Sequence, residues 1–122
     1  RVWRDHHLGS YSMLVTTTAI VDGQTAKEYF GVVSGEAILG TNVLKDMLAN
    51  VRDIVGGRAA SYEKSLRKAK AMAMDEMIQQ AEDYGGNAVL GVDLDYTTVG
   101  AKGSMLMVVA SGTAALVERD SG

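Results

Sequence analysis

The chain has 122 residues and a net charge of −3, with 47% hydrophobic and 22% charged residues. These values are typical of one globular domain and exclude the basic field that nucleic-acid binding requires. The chain contains no cysteine, which excludes disulfides and thiolate metal ligands. No apolar run approaches the ~20 residues of a membrane span and no signal-peptide pattern is present, so we expect a cytoplasmic protein without membrane or nucleic-acid partners.

Residues 1–12 differ from the rest because they show no sustained period and end in Gly-Ser-Tyr-Ser before Met13. We therefore expect a disordered or non-native leader over 1–12, one α+β domain over 13–119 and a tail over 120–122. Both histidines, His6 and His7, lie in this leader, where a tag is the simpler interpretation than a metal site.

Two strands are predicted first. Met13 to Thr18 is short and β-branched, and Asp22-Gly23 marks a turn. Ala26 to Leu39 alternates as a long strand, with one predicted face of Tyr29, Gly31, Val33, Gly35 and Ala37 and another of Phe30, Val32, Ser34, Glu36 and Ile38. Small residues on the first face would let another element approach closely.

Two helices are predicted next. After Gly40, with Thr41 or Asn42 as the cap, a short amphipathic helix carries an apolar stripe and ends at Gly56-Gly57; the stripe is Leu44, Met47, Leu48, Val51, Ile54 and Val55. Ser61 is the predicted cap of a long helix from Tyr62 to Tyr84, whose stripe is Leu66, Ala69, Ala73, Met77, Ala81 and Tyr84. Met74 and Ile78 widen this stripe beyond what one sheet contact needs, so a second helix or another subunit is expected there.

Two strands close the chain, joined by a short loop over Gly100 to Gly103 that predicts a hairpin. Asn87 to Tyr96 alternates, with one predicted face of Ala88, Leu90, Val92, Leu94 and Tyr96 and another of Val89, Gly91, Asp93 and Asp95. In the last strand, Ser104 to Val117, the segment from Met105 to Ala110 is apolar without alternation. Such a run indicates that both faces are covered. One helix layer covers only one face, so we expect a homo-oligomer.

The element order β-β-α-α-β-β predicts an α+β, two-layer domain in which an antiparallel sheet packs on one long helix, with the helices between hairpin-like strand pairs.

Several motifs in fixed order resemble the YbjQ-like family of small bacterial proteins: the run from Tyr29 to Ala37, Arg52-Asp53-Ile54-Val55-Gly56-Gly57-Arg58, Tyr62-Glu63, the run from Gly86 to Tyr96, and Ser111-Gly112-Thr113-Ala114. The resemblance spans Met13 to Glu118. It implies a dodecin-like subunit, a ring-shaped homopentamer and a family described as heavy-metal-binding without an established activity.

The junction between the predicted helices is the first candidate site. Its glycine N–H groups, arginines and the start of the long helix could hold a small anion, and the candidates for a ligand or anion are Glu36, Arg52, Gly56, Gly57, Arg58, Tyr62 and Glu63. The alternative is a structural turn in which the arginines pair with Asp53, Glu63 or a neighbouring subunit.

The carboxylates Glu36, Asp93 and Asp95 are the second candidate site. Asp93 and Asp95 share a strand face about 7 Å apart, and Glu36 lies mid-strand among apolar neighbours, a costly place for a lone charge. Together they could bind a hard divalent metal ion through oxygen or perform acid–base chemistry. Alternatively, Glu36 pairs with Arg52 or Arg58 and the aspartates face solvent. Soft metals prefer thiolate or imidazole, so these residues argue against a transition-metal site.

Charged residues of the long helix predict a solvated face, with a basic group of Lys64, Arg67, Lys68 and Lys70 balanced by Asp75, Glu76, Glu82 and Asp83. Outside the leader, the chain has no Cys or His that could serve in nucleophilic catalysis. The preferred hypothesis is a non-enzymatic, ring-forming binding or scaffold protein that holds a metal ion or small anion at subunit junctions. The alternatives are a carboxylate-based hydrolase or isomerase and a protein-interaction adaptor.

Overall fold

The computed structural model describes residues 2–4, 12–40, 60–103 and 105–121. Its elements are β1 (Val2–Arg4), β2 (Ser12–Val15), β3 (Gln24–Leu39), α1 (Ala60–Asp83), β4 (Ala88–Val99), a 3₁₀ turn (Ala101–Gly103) and β5 (Met105–Arg119). The predicted short helix over 44–55 lies outside the described residues, within which α1 is the one α-helix. β1 pairs antiparallel with β2, and the non-native origin expected for residues 1–12 stays a prediction.

The five strands form one mixed sheet in the order β1-β2-β4-β5-β3. The predicted hairpin is confirmed, because β4 and β5 pair antiparallel. The prediction of a wholly antiparallel sheet is wrong, since β2 pairs parallel with β4 at Leu14–Ala88 and Val15–Val89. β2 and β3 are not hairpin partners either, because β4 and β5 lie between them. β4 and β5, the last two strands of the chain, therefore separate β2 from β3, which are neighbours in the sequence.

The helix α1 packs on one face of the sheet through the predicted stripe, and Ala69, Ala73, Met77 and Ala81 are all buried. Met74 and Ile78 are buried in the same cluster as Met13 and Val15. The wide apolar arc is therefore covered largely within the subunit. The helix begins at Ala60, so Ser61 lies inside it rather than at the predicted cap, and Tyr84 is exposed beyond its end.

Gly35 is the point of closest approach between β3 and α1. A Cβ atom at this position would collide with the carbonyl oxygen of Ala73 and lie 2.6 Å from the amide nitrogen of Met77. The neighbouring residues of this face, Val33 and Ala37, are buried. The predicted close approach on small residues is confirmed at this position, and it fixes the helix against the sheet.

A β-bulge in β4 changes which side chains share a face. The register shifts between Leu90 and Asp93, where Gly91 has a φ of 61°. Before the bulge, Ala88 and Leu90 pack on the side of the sheet away from α1 with Ala115 and Val117, whereas beyond it Val92 and Leu94 pack against the cluster under α1. The predicted face from Ala88 to Tyr96 is wrong, because an extra residue in a strand inverts the alternation beyond it.

A second shift, between Tyr29 and Gly31 in β3, has the same effect. Phe30 packs against the cluster under α1, whereas Tyr29 pairs with Ala115 on the opposite face and is exposed. The predicted faces of β3 hold from Val32 to Ile38 and fail at Tyr29 and Phe30.

Asn87 joins the start of β4 to β5 through its side chain. Its Nδ2 donates to the carbonyl oxygen of Val117 at 2.9 Å, and its Oδ1 accepts from the Val117 amide at 2.8 Å. Its own amide donates to the carbonyl oxygen of Ala115 at 3.0 Å. The carboxamide thus acts as one further peptide group of the ladder and holds this end of the hairpin together.

Candidate functional site

In the described part of the chain, no helix covers one face of the sheet where β3, β5 and β4 run side by side. α1 covers the opposite face, and the register places residues of all three strands on the uncovered side. We call this surface the open face; it consists of Val32, Ser34, Glu36, Ile38, Met107, Val109, Ser111, Asp93, Asp95 and Thr97. Val32 is 77% exposed and Ile38 is 55% exposed, so large apolar side chains meet solvent here.

Carboxylates occupy two neighbouring rows of the open face. Glu36 and Asp95 both pair with Val109, from opposite sides of β5. Two strand spacings separate their backbones by about 10 Å. Glu36 is exposed, so the expectation of a buried mid-strand charge is wrong, because the odd-numbered residues of β3 face the helix and Glu36 does not.

Asp93 and Asp95 lie on the same face, as predicted, opposite Ser111 and Val109. A side-chain hydrogen bond to Asp93 and the repulsion between the two carboxylates raise the pKa of Asp95. Two neighbouring carboxylates offer several acceptor oxygens, so a divalent cation could bind both groups.

Three acidic side chains do not meet within one subunit. Among the described residues, no three His, Asp or Glu side chains are close enough to hold a metal ion together. The pair Asp93 and Asp95 is one half of a possible oxygen site, and Glu36 is too distant to complete it in the same chain.

The structure describes only part of the predicted junction site, namely Glu36, Tyr62 and Glu63. Arg52, Gly56, Gly57 and Arg58 lie outside the described residues, so their role in anion binding stays a prediction. Tyr62 and Glu63 belong to the first turns of α1, where Glu63 pairs with Arg67 at 3.4 Å. Because α1 covers the face opposite to Glu36, the structure does not bring Glu36 and Glu63 together.

Two strand edges flank the open face, and the sequence did not predict them. β3 ends the sheet, with no strand on its outer side in the described ranges. On its other edge, β4 is hydrogen-bonded to β2 and to Thr16 and Thr18, which follow β2, but only as far as Val92. In the same ranges, the edge of β4 from Asp93 to Val99 is therefore unpaired. Strand order was the missing information, because no local pattern shows which strands end a sheet.

The side chain of one helix residue reaches the β3 edge. The amide of Ser34 donates to Oε1 of Gln80 at 2.8 Å. This bond shows that the N–H of Ser34 points away from β5. By the alternation of an antiparallel strand, the N–H groups of Val32, Glu36 and Ile38 point the same way.

A cavity of about 250 Å³ opens between the end of β3 and the start of α1, with Ala37, Leu39, Ala69 and Met72 among its lining residues. Among the described residues of that lining, Lys68 is the only charged one and none is a predicted site residue. The cavity lies next to Leu39, near the end of the described range that stops at residue 40.

The sequence profile of a family described as "Putative heavy-metal-binding" (YbjQ) matches residues 13–118. The chain belongs to the YbjQ family. The solved structures include a protein of unknown function of the DUF74 family from Pediococcus pentosaceus, which is 22% identical, with a TM-score of 0.55, over 87% of this chain and 98% of that one. This likeness extends the shared fold to almost the whole of both chains.

The described part of this YbjQ-family chain lacks thiolate and imidazole, the donors that soft heavy metals prefer. The chain has no cysteine, and its histidines, His6 and His7, lie outside the described residues. Met13, Met74 and Met77 are buried in the core, where they fill space between helix and sheet. The charged donors on the open face are carboxylate oxygens, which suit a hard divalent cation, and the thioether of Met107 on the same face is half-buried. In the described part of the chain, no helix is long and apolar enough to cross a membrane.

Proposed function

We propose that this protein is a non-enzymatic binding protein that assembles into a ring and holds a hard divalent cation at each subunit junction. The observation that carries the proposal is the open face, where Val32 and Ile38 are 77% and 55% exposed beside three carboxylates. Exposed apolar groups on a sheet indicate a missing partner. The resemblance to the YbjQ-like family implies five copies.

The two unpaired edges support a ring rather than a symmetric dimer. The edge of β3 and the edge of β4 beyond Val92 are different surfaces of one subunit. A contact between two different surfaces is head-to-tail, and it closes into a ring when the rotation allows. An added strand would also satisfy the outward N–H groups of β3.

Such a contact would complete the oxygen site. Within one chain Glu36 and Asp95 are two strand spacings apart. If β4 pairs with β3 of the next copy, a second Glu36 lies one strand spacing, about 5 Å, from the row of Asp93 and Asp95. The cation would then bind only in the assembled protein, between subunits.

Native mass spectrometry of the full chain tests the assembly. Val32→Lys places a charge at the β3 edge and should reduce the ring to smaller species. Tyr84→Lys is the control, because Tyr84 is 49% exposed just after the end of α1, which packs on the face opposite to the open face. A wild-type monomer, or equal loss of assembly in both variants, would overturn the ring.

Calorimetric titration with Mg²⁺, Ca²⁺ and Mn²⁺ separately, and with inorganic phosphate, tests the site. We expect divalent cation binding by the wild-type ring and its loss in Asp95→Asn, with the ring intact. Phosphate binding that is lost in Arg58→Ala would instead favour the anion site at the helix junction. A ring that binds none of these ions would favour the scaffold or adaptor hypothesis.

A further inference from the structure

The charges of α1 are separated along its length. Its first half carries four basic side chains and its second half four acidic ones: Lys64, Arg67, Lys68 and Lys70, then Asp75, Glu76, Glu82 and Asp83. Glu63 is the one acidic residue of the first half, and it pairs with Arg67. An overall balance of charge accounts for a solvated helix surface, but it does not account for the separation of basic from acidic residues along the helix.

This order opposes the helix dipole. The N-terminal end of a helix is positive and favours carboxylates, and the C-terminal end is negative and favours lysine or arginine. The last turn of α1 has no basic residue and contains Glu82 and Asp83. The arrangement lowers the stability of the isolated helix, so another interaction should account for it.

The exposed charges form one stripe. At 100° per residue, Lys64, Lys68, Met72, Glu76 and Asp83 fall within an arc of about 120°. All five are exposed, and Met72 is 55% exposed at the centre of the stripe. The buried stripe faces the opposite way, toward the sheet, so no element within the described ranges covers this surface.

We propose that the exposed stripe of α1 binds the same stripe of a second copy in an antiparallel pair, with a two-fold axis near Met72. Lys68 and Glu76 lie four residues on either side of Met72, so the axis places Lys68 against the partner's Glu76. Lys64 lies eight residues before Met72 and Asp83 eleven after it, a difference of about 4.5 Å along the axis that a lysine side chain can span. Complementary charge selects a second copy as the occupant, because the stripe is its own complement when reversed.

This contact is separate from the proposed ring, because α1 and the open face lie on opposite sides of the sheet. It would therefore join two rings, or two monomers if no ring forms. Exposed ion pairs contribute little each and are screened by salt. The pairing should therefore appear at low ionic strength, and several subunits acting together would strengthen it.

Two charge-reversed variants test the proposal. Lys64→Glu with Lys68→Glu makes the stripe acidic throughout, and Glu76→Lys with Asp83→Lys makes it basic throughout. Each variant should lose the paired species, because equal charges then face each other. A 1:1 mixture should recover it with one partner of each kind, as measured by native mass spectrometry on mass-tagged chains at low and high salt.

The two charge-reversed variants also distinguish a loss of pairing from a loss of folding. Both place charges in the order that the helix dipole favours, so the melting temperature at high salt should not fall below that of the wild type. Lys27→Glu with Lys102→Glu, and Glu28→Lys with Glu118→Lys, change the net charge equally at exposed positions away from the stripe and should keep the paired species.

A wild-type protein without a paired species at low salt would overturn the proposal. Persistence of the pair in either reversed variant, or a mixture that stays unpaired, would also overturn it. Because the paired species is counted relative to whatever unit exists at high salt, this result does not depend on whether that unit is a ring.

Discussion

The two faces of the sheet present the same strands under different constraints. On the face under α1, Val33, Gly35 and Ala37 are buried against the helix, and even a methyl group at Gly35 would collide with the helix backbone. On the open face, Val32 and Ile38 of the same strand are mostly exposed. Contacts within the subunit therefore account for the residues of β3 that face the helix, whereas they leave large apolar side chains of the same strand exposed on the other face.

Gly35→Val should give the largest effect. The added side chain must displace the backbone of α1 near Ala73 and Met77, and overpacking of this kind costs about 3 kcal/mol of unfolding free energy. Ser34→Val, one residue away on the open face, should leave the stability nearly unchanged. Chemical denaturation of both variants checks the difference, and similar losses would contradict the assignment of the faces.

Met77→Ala and Met107→Ala compare one methionine from each face. Met77 is fully buried, so its truncation should cost about 3 kcal/mol at any protein concentration. Met107 is half-buried on the open face, so its truncation should cost far less in dilute protein and more when the protein assembles. Unfolding measured over a hundredfold range of protein concentration distinguishes the two variants. If the loss of stability in Met107→Ala does not depend on concentration, the open face is not covered on assembly.

Gly91→Ala tests the bulge that exchanges side chains between the faces. Gly91 has a φ of 61°, and a Cβ there meets no atom within 4 Å. The expected cost of about 1 kcal/mol is therefore conformational rather than steric. Gly91→Asn should cost less because asparagine tolerates this region. Equal costs for the two, from thermal unfolding, would point away from backbone conformation as the cause.

Asp95→Asn should have the smallest effect on stability, and its sign depends on pH. The folded pKa of Asp95 is raised above 3.8 by its bond to Asp93 and by repulsion. The pair therefore stabilises the fold below the unfolded pKa, and this contribution is lost as pH rises through the folded pKa. The variant should gain stability relative to the wild type as pH rises across that window in urea unfolding, whereas Glu28→Gln, an exposed carboxylate of β3, should show no such trend.

Local sequence patterns predicted most helices and strands of the described ranges. They predicted only part of the strand pairing and of the assignment of side chains to the two faces. The stripe of α1, the hairpin of β4 and β5 and the shared face of Asp93 and Asp95 followed from periodicity. The bulges were missed because period-two alternation assumes no extra residue, although Gly91 inside a strand was a usable signal. The parallel pairing of β2 with β4 depends on contacts between distant segments.

The candidate site was predicted by residue type rather than by geometry. Asp93 and Asp95 were paired correctly, but the burial of Glu36 was not, because its apolar chain neighbours belong to a face that is open. The separation of Glu36 from Glu63 follows from which face α1 covers, and the sequence alone does not contain that choice.

The double hydrogen bond of Asn87 also bears on the chemical ageing of the protein. Hydrolysis of its side-chain amide would release ammonia and leave an aspartate whose carboxylate oxygen faces the carbonyl oxygen of Val117, at the place where Nδ2 now donates at 2.9 Å. Two acceptors would then oppose each other at a part-buried position, a loss of about 1–3 kcal/mol. The folded chain restrains the side chain and should slow this reaction, so damage at this residue would accumulate mainly in protein that has already unfolded.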